Sequence, residues 1–205
     1  MKMKETNNLF IEEIGGTAEV VRDFLITSGM MDDVEDSVAK QTNQLKEEVL
    51  ELTAAITAND KVEVMDGLGD VGFVLLSLEI LGQSHEAMRA WLKGTTYLLG
   101  LDLDVLHEAI LIAAVSNLSK FDRTTEEASI TQAYYASIGV GTKVKKVNDL
   151  FVVFVSEDVE VDGKPYHAGK ILKSKLNFVE ADFAGMSENY IILFDVMSMT
   201  LGALK

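Results

Sequence analysis

Apolar residues recur at helical spacing through the first 120 residues of the chain. In "TAEVVRDFLITSG" the residues Val20, Val21, Phe24 and Leu25 form one stripe, and the pattern stops at Gly29. "SVAKQTNQLKEEVLELTAAITA" keeps the period through Val38, Leu45, Val49, Leu52 and Ile56. The stretch "ANDK" interrupts it, with Asp60 placed to cap the next helix. That helix is predicted from about Lys61 to Leu81. Its second half is apolar nearly all round, which predicts burial on every side. "SHEAMRAWLKG" and "LDVLHEAILIAAVSNLSK" supply two further helices. The texture changes after Phe121. "EEASITQAYYASIG" still suits a helix, but "TKVKKVNDLFVVFVSEDVEVDGKPYHAGKILK" is rich in Val, Phe and Tyr. Turn signals at Asn148-Asp149 and Asp162-Gly163 divide it into two or three short strands. The tail "ENYIILFDVMSMTLGALK" fits either a closing helix or a strand with a frayed end.

The polar positions of the second and third helical segments carry the candidate chemistry. Residues three and four apart share a helix face. Glu48 and Glu51 form such a pair, and so do Glu47 and Glu51. On the following helix Glu63, Asp66 and Asp70 descend one stripe in steps of three and four. A short turn between the helices returns the second antiparallel to the first, so the two acidic stripes are expected to face each other. Carboxylates brought together away from water repel, and either protonate or enclose a cation. Magnesium, an octahedral ion that takes oxygen ligands, suits the second outcome. Asp66 and Asp70 flank Gly67 and Gly69 inside a helix, where all four are poor helix formers. Two glycines there predict the close approach of another backbone. The bland alternative is a solvated acidic face, which an acidic protein has many residues to furnish.

Composition narrows the possibilities. The chain of 205 residues is 48% hydrophobic, enough for one sizeable core. It contains no cysteine, which removes disulfides and thiolate metal sites. The three histidines, His85, His107 and His167, lack helical ligand spacing, which argues against zinc; His107 and His167 receive structural roles by default. A formal net charge of −15 opposes nucleic-acid binding. "MKMKETNNLF" has no apolar signal core, and the longest apolar run, "VGFVLLSLEILG", is broken by Glu79 and too short to span a bilayer. The expectation is a soluble cytoplasmic protein with no membrane partner. Trp91 and the Met-rich tail are assigned to the core or to subunit contacts.

"EEVLE", "EVMD" and "DGLGDV" together resemble the EExxE and ExxD elements of the all-α nucleoside triphosphate pyrophosphohydrolases. The resemblance is to the MazG-like, phosphoribosyl-ATP-pyrophosphohydrolase-like group often encoded by bacteriophages. "VVRDFLITSG", "VSNLSKFD" and "DGKPYHAGKILKSKLNFVEADF" resemble further elements of that group, and the likeness spans roughly residues 16 to 185. The resemblance implies a mainly α protein, a four-helix bundle with a small β-rich C-terminal appendage. Residues 1–122 would form the helical catalytic core and 123–205 an appendage completing the same domain. It implies hydrolysis between the α and β phosphates of a nucleotide, with Mg²⁺, or Mn²⁺ in its place, as cofactor. Glu48, Glu51, Asp66 and Asp70 would be metal ligands, with Glu63 as an outer ligand, and Glu47 would orient or deprotonate the attacking water. Whether Glu63 or Asp66 completes the set stays open. Asn117, Lys120, Lys170, Lys173 and Asn177 would contact substrate. Homodimers or homotetramers are implied, in the host cytoplasm for a phage-encoded chain. Departures occur where the group's first helix carries an EFH-like segment, here "DFLITSG", and where its C-terminal element reads PPD, here "EAD". Two alternatives accompany this reading: the phosphoribosyl-ATP pyrophosphohydrolase of histidine biosynthesis, and a non-catalytic helical module whose acidic stripe binds a basic partner.

Overall fold

A computed structural model of the chain describes residues 15–186. The tail whose helix-or-strand reading is open lies outside them. Among the described residues six helices precede two small sheets: α1 Gly15–Ser28, α2 Val34–Ala58, α3 Lys61–Ile80, α4 Glu86–Leu98, α5 Leu103–Leu118 and α6 Thr125–Ser137. Strands β1 Thr142–Val147 and β2 Leu150–Val155 form one antiparallel pair, and β3 Val159–Val161 and β4 Lys164–Tyr166 another. The protein is thus mainly helical with a small strand region. The strands number four rather than two or three, and both turn signals fall between paired strands, with Val147 opposite Leu150 and Val161 opposite Lys164. No helix among the described residues is long and apolar enough to cross a membrane.

The described residues divide into two compact units. One holds those up to Arg22, Val34–Ala114 and those from Asp182; the other holds Asp23–Asp33 and Val115–Ala181.

In the first unit, α2 and α3 are joined by only Asn59 and Asp60. Asn59 leaves the helix in the left-handed region (φ 56°), a conformation that asparagine tolerates. Asp60 is extended and accepts a hydrogen bond from the Glu63 amide at 3.2 Å, satisfying one of the free donors at the start of α3. The cap is worth about 1 kcal/mol. So short a turn forces the helices antiparallel, and they approach closely: a Cβ built on Gly67 would lie 2.9 Å from Leu52 Cβ and 3.0 Å from its Cα. Gly69 serves a second contact, since a Cβ there would lie 2.6 Å from the Ala109 carbonyl oxygen on α5. Helix α3 is buried along its whole second half, Val71 through Glu79. It forms the core with Leu52, Leu92, Leu106 and Ile110, all fully buried.

In the second unit, Ala128 and Tyr135 of α6 pack on Val153 and Val155 of β2, with Val140 and Leu172. Strand β2 buries Val152, Val153 and Val155, whereas four of six β1 residues are exposed. Isolated bridges join Asp122 to Phe151 and Phe154 to Ile171.

Candidate functional site

The hairpin of α2 and α3 fixes where the six acidic residues sit. The tight contact between Leu52 and Gly67 lies one residue beyond Glu51 on one helix and one beyond Asp66 on the other. Glu48, Asp66 and Asp70 are half-buried, while Glu47, Glu51 and Glu63 are exposed. Burial raises the Glu48 carboxyl above its ordinary range, and the charges of Glu51, Asp66 and Glu47 push it the same way; a hydrogen bond from Gln44 Nε2 at 3.3 Å opposes them. Asp66 is likewise raised, first by burial and then by Glu63 and Glu51. Five of the six acids therefore act on one another, three from α2 and two from α3. Asp70 stands one turn beyond Asp66 on α3, on the same stripe.

Among the described residues no three His, Asp or Glu side chains stand close enough to form a finished metal site. The donors are of the type a hard cation takes: they are carboxylates on two helices, three of them half-buried, and burial raises two of these, Glu48 and Asp66. The close approach that the two glycines predict is present: Gly67 sits against Leu52 and Gly69 against the Ala109 carbonyl.

The residues expected to contact substrate belong to the second unit. Asn117 closes α5, and its Oδ1 accepts from Lys120 Nζ at 2.5 Å. Lys173 Nζ lies 4.1 Å from the centre of the Phe178 ring and 4.0 Å from Glu180. The Asn177 side-chain amide donates to Glu127 at 2.7 Å and to the Phe121 carbonyl at 3.4 Å. These contacts, with a bond from the Ser174 amide to the Lys120 carbonyl at 3.0 Å, place the backbone of 174–179 beside 119–121. Lys170 is apart from them: it is exposed, and its carbonyl accepts from Val155 at the end of β2. His167 Nδ1 lies 3.8 Å from Asp158 on the exposed hairpin side of the unit.

Two acids escape the sequence reading. Asp122 is fully buried, and its Oδ1 accepts from Thr131 Oγ1 at 3.1 Å and Ser174 Oγ at 2.5 Å. Burial raises it, and those two hydroxyls act the other way. Glu79, also buried, meets Arg89 Nε of α4 at 3.0 Å; burial raises its carboxyl more than Arg89 and Lys93 lower it. Glu79 had a visible signal, a lone charge in an apolar run. Asp122 had only its place in "SKFD".

No protein family, curated protein or solved structure matches the chain.

Proposed function

We propose that the protein is a Mg²⁺-dependent nucleoside triphosphate pyrophosphohydrolase, cleaving between the α and β phosphates to release a nucleoside monophosphate and pyrophosphate. One observation supports it above the rest: the half-buried carboxylates Glu48 and Asp66, on helices pressed together at Gly67, have their titration raised by further carboxylates of both helices. A site that gathers negative charge against its own repulsion is arranged for a cation. Mn²⁺ would serve in place of Mg²⁺. Glu48, Glu51, Asp66 and Asp70 would hold the ion, with Glu63 outside them. When bound, it would neutralise the phosphates and acidify water. Glu47, exposed and next to Glu48, would orient that water and take its proton. Lys120 and Lys173 would supply positive charge for phosphate, with Asn117, Asn177 and Lys170 as polar and outer contacts. In this reading the helices belong to a four-helix bundle completed in a homodimer or homotetramer, working in the cytoplasm, that of the host for a phage-encoded chain.

The test is pyrophosphate release across canonical, deoxy and modified nucleoside triphosphates and phosphoribosyl-ATP, with Mg²⁺ and with chelator. Release from triphosphates only with the metal supports the reading. Turnover confined to phosphoribosyl-ATP moves it to histidine biosynthesis. No release, with no Mg²⁺ or Mn²⁺ binding above weak background in isothermal titration, leaves a non-catalytic acidic module.

A further inference from the structure

Asp122 sits at the centre of a hydrogen-bonded hub that the proposed chemistry does not use. Its backbone pairs with Phe151 in both directions, at 2.9 and 2.7 Å, which pins it to β2. Its Oδ1 holds two hydroxyls, each with a further task. Ser174 Oγ, donating to Asp122, accepts from the amides of Leu176 at 3.2 Å and Asn177 at 3.0 Å. Thr131 Oγ1, donating to the same oxygen, accepts from the Lys175 amide at 3.1 Å. One carboxylate oxygen thus orients two hydroxyls so that their lone pairs collect three consecutive amides, Lys175 to Asn177. The loop is closed from its far side by Ser119 Oγ, which accepts from the Val179 amide at 2.9 Å.

A hydroxyl beside a neutral group rotates among several partners; beside a buried carboxylate it donates there, leaving its lone pairs for the amides. Asp122 Oδ2 meanwhile finds no donor among the described residues and is buried. What the carboxylate supplies is direction: a single loop shape, with Lys173 and Asn177 at its two shoulders and the Lys120 carbonyl bonded to its start.

We propose that Asp122 is a positioning residue: acting through Ser174 and Thr131, it fixes the loop 173–179 in the shape that presents Lys173 beside the Asn117–Lys120 turn as a binding element for a phosphate-bearing ligand. The ligand class rests on the pyrophosphohydrolase reading; the latch rests on the hub alone.

The experiment compares the full chain with Ser174→Ala, Ser174→Thr and Asp122→Ala. It uses amide hydrogen exchange at Leu176, Asn177 and Val179 and isothermal titration with inorganic pyrophosphate in Mg²⁺. Ser174→Ala is expected to speed exchange at Leu176 and Asn177 and to weaken pyrophosphate binding, each about tenfold, while Ser174→Thr keeps both near wild type. Val153→Ala, a cavity in the unit's core away from the loop, is the control: it lowers Tm without changing pyrophosphate affinity. Unchanged exchange in Ser174→Ala overturns the latch, and so does affinity that follows Tm equally in Val153→Ala. Should Asp122→Ala fail to fold, the serine pair decides the matter. A wild-type chain that binds no pyrophosphate overturns the ligand half and the enzyme reading behind it, and the exchange result still decides the latch.

Discussion

Burial of carboxylates is handled oppositely in the two units. In the second, Asp122 is wholly buried, yet two hydroxyls donate to it and oppose the effect of burial. In the first, Glu48 and Asp66 are only half-buried, and most of what surrounds them makes matters worse: other carboxylates, with one amide of Gln44 in relief. A buried acid that serves the fold gathers donors. An acid that gathers more acids weakens the fold unless it is protonated or, on the proposed reading, offset by a bound cation. Glu79 marks the intermediate solution, a buried carboxylate answered by Arg89 on a neighbouring helix.

The largest effect separates the two kinds of acid by activity. Glu48→Ala and Asp66→Ala are each expected to cut metal-dependent pyrophosphate release by about a hundredfold or more, at least the loss typical for an outer-shell partner of a metal site. Steady-state kinetics with Mg²⁺ in excess checks this. Activity unchanged in both variants breaks the comparison at its centre and moves the site elsewhere.

Stability separates them next, with opposite signs. Asp122→Ala removes the acceptor of two buried hydroxyls and should destabilise the chain by about 1–3 kcal/mol in urea unfolding. Glu48→Gln, without metal, should leave stability unchanged or raise it, because a repelled charge is removed while a polar end remains. Destabilisation of similar size by both changes would mean that the two acids do the same job.

The close approach beneath the acidic stripe offers a third comparison, between glycines. A methyl group on Gly67 would press on Leu52 at both Cβ and Cα, so Gly67→Ala must part α2 from α3. Overpacking of this kind costs about 1–3 kcal/mol. Gly94 in α4 has nothing within 4 Å of an added Cβ, and Gly94→Ala should stabilise by about 0.5–1 kcal/mol through helix propensity. Thermal unfolding of the pair reads both signs. If Gly67→Ala also loses Mg²⁺ affinity while Gly94→Ala keeps it, the helix contact is what holds the acids together.

How much of this the sequence disclosed follows from the range of each interaction. The helices of the first 120 residues are local objects, and the period of Leu45, Val49, Leu52 and Ile56 shows α2 directly, though it begins at Val34, a turn earlier than the apolar stripe. The acid–acid confrontation was also legible, because a two-residue turn leaves a helix pair no other course. The aspartates and glycines of "DGLGD" signalled the close approach for the same reason. Strands β3 and β4 are three residues each, too short for alternation to separate them from their turn. Asp122 was invisible because its partners lie nine and 52 residues away. Arg89, the answer to Glu79, stands on a different helix, and no periodicity links the two. Local pattern reveals which faces exist; which buried charge meets which donor is decided by packing.

The smallest expected effect is the pH dependence of the metal-free chain, and its sign discriminates. Glu48 ionises in the folded chain above its ordinary value of 4.5. A carboxyl raised on folding favours the fold while protonated. Its contribution is complete below 4.5 and is lost as the pH rises through the raised value. Asp66, Asp122 and Glu79 are raised as well and share this sign. Glu127 is lowered by its bond from Asn177, so its contribution is complete above 4.5 and fades only as the pH falls below that value. The window between neutrality and 4.5 therefore belongs to the raised acids. Urea unfolding without metal should show wild-type stability rising as the pH falls through that window, by less in Glu48→Gln. With saturating Mg²⁺ the rise should shrink or reverse, because the ion needs the charged carboxylates that protons remove. A Glu48→Gln profile parallel to wild type would show that Glu48 is an ordinary solvated acid, and the contrast with Asp122 would then rest on Asp66 alone.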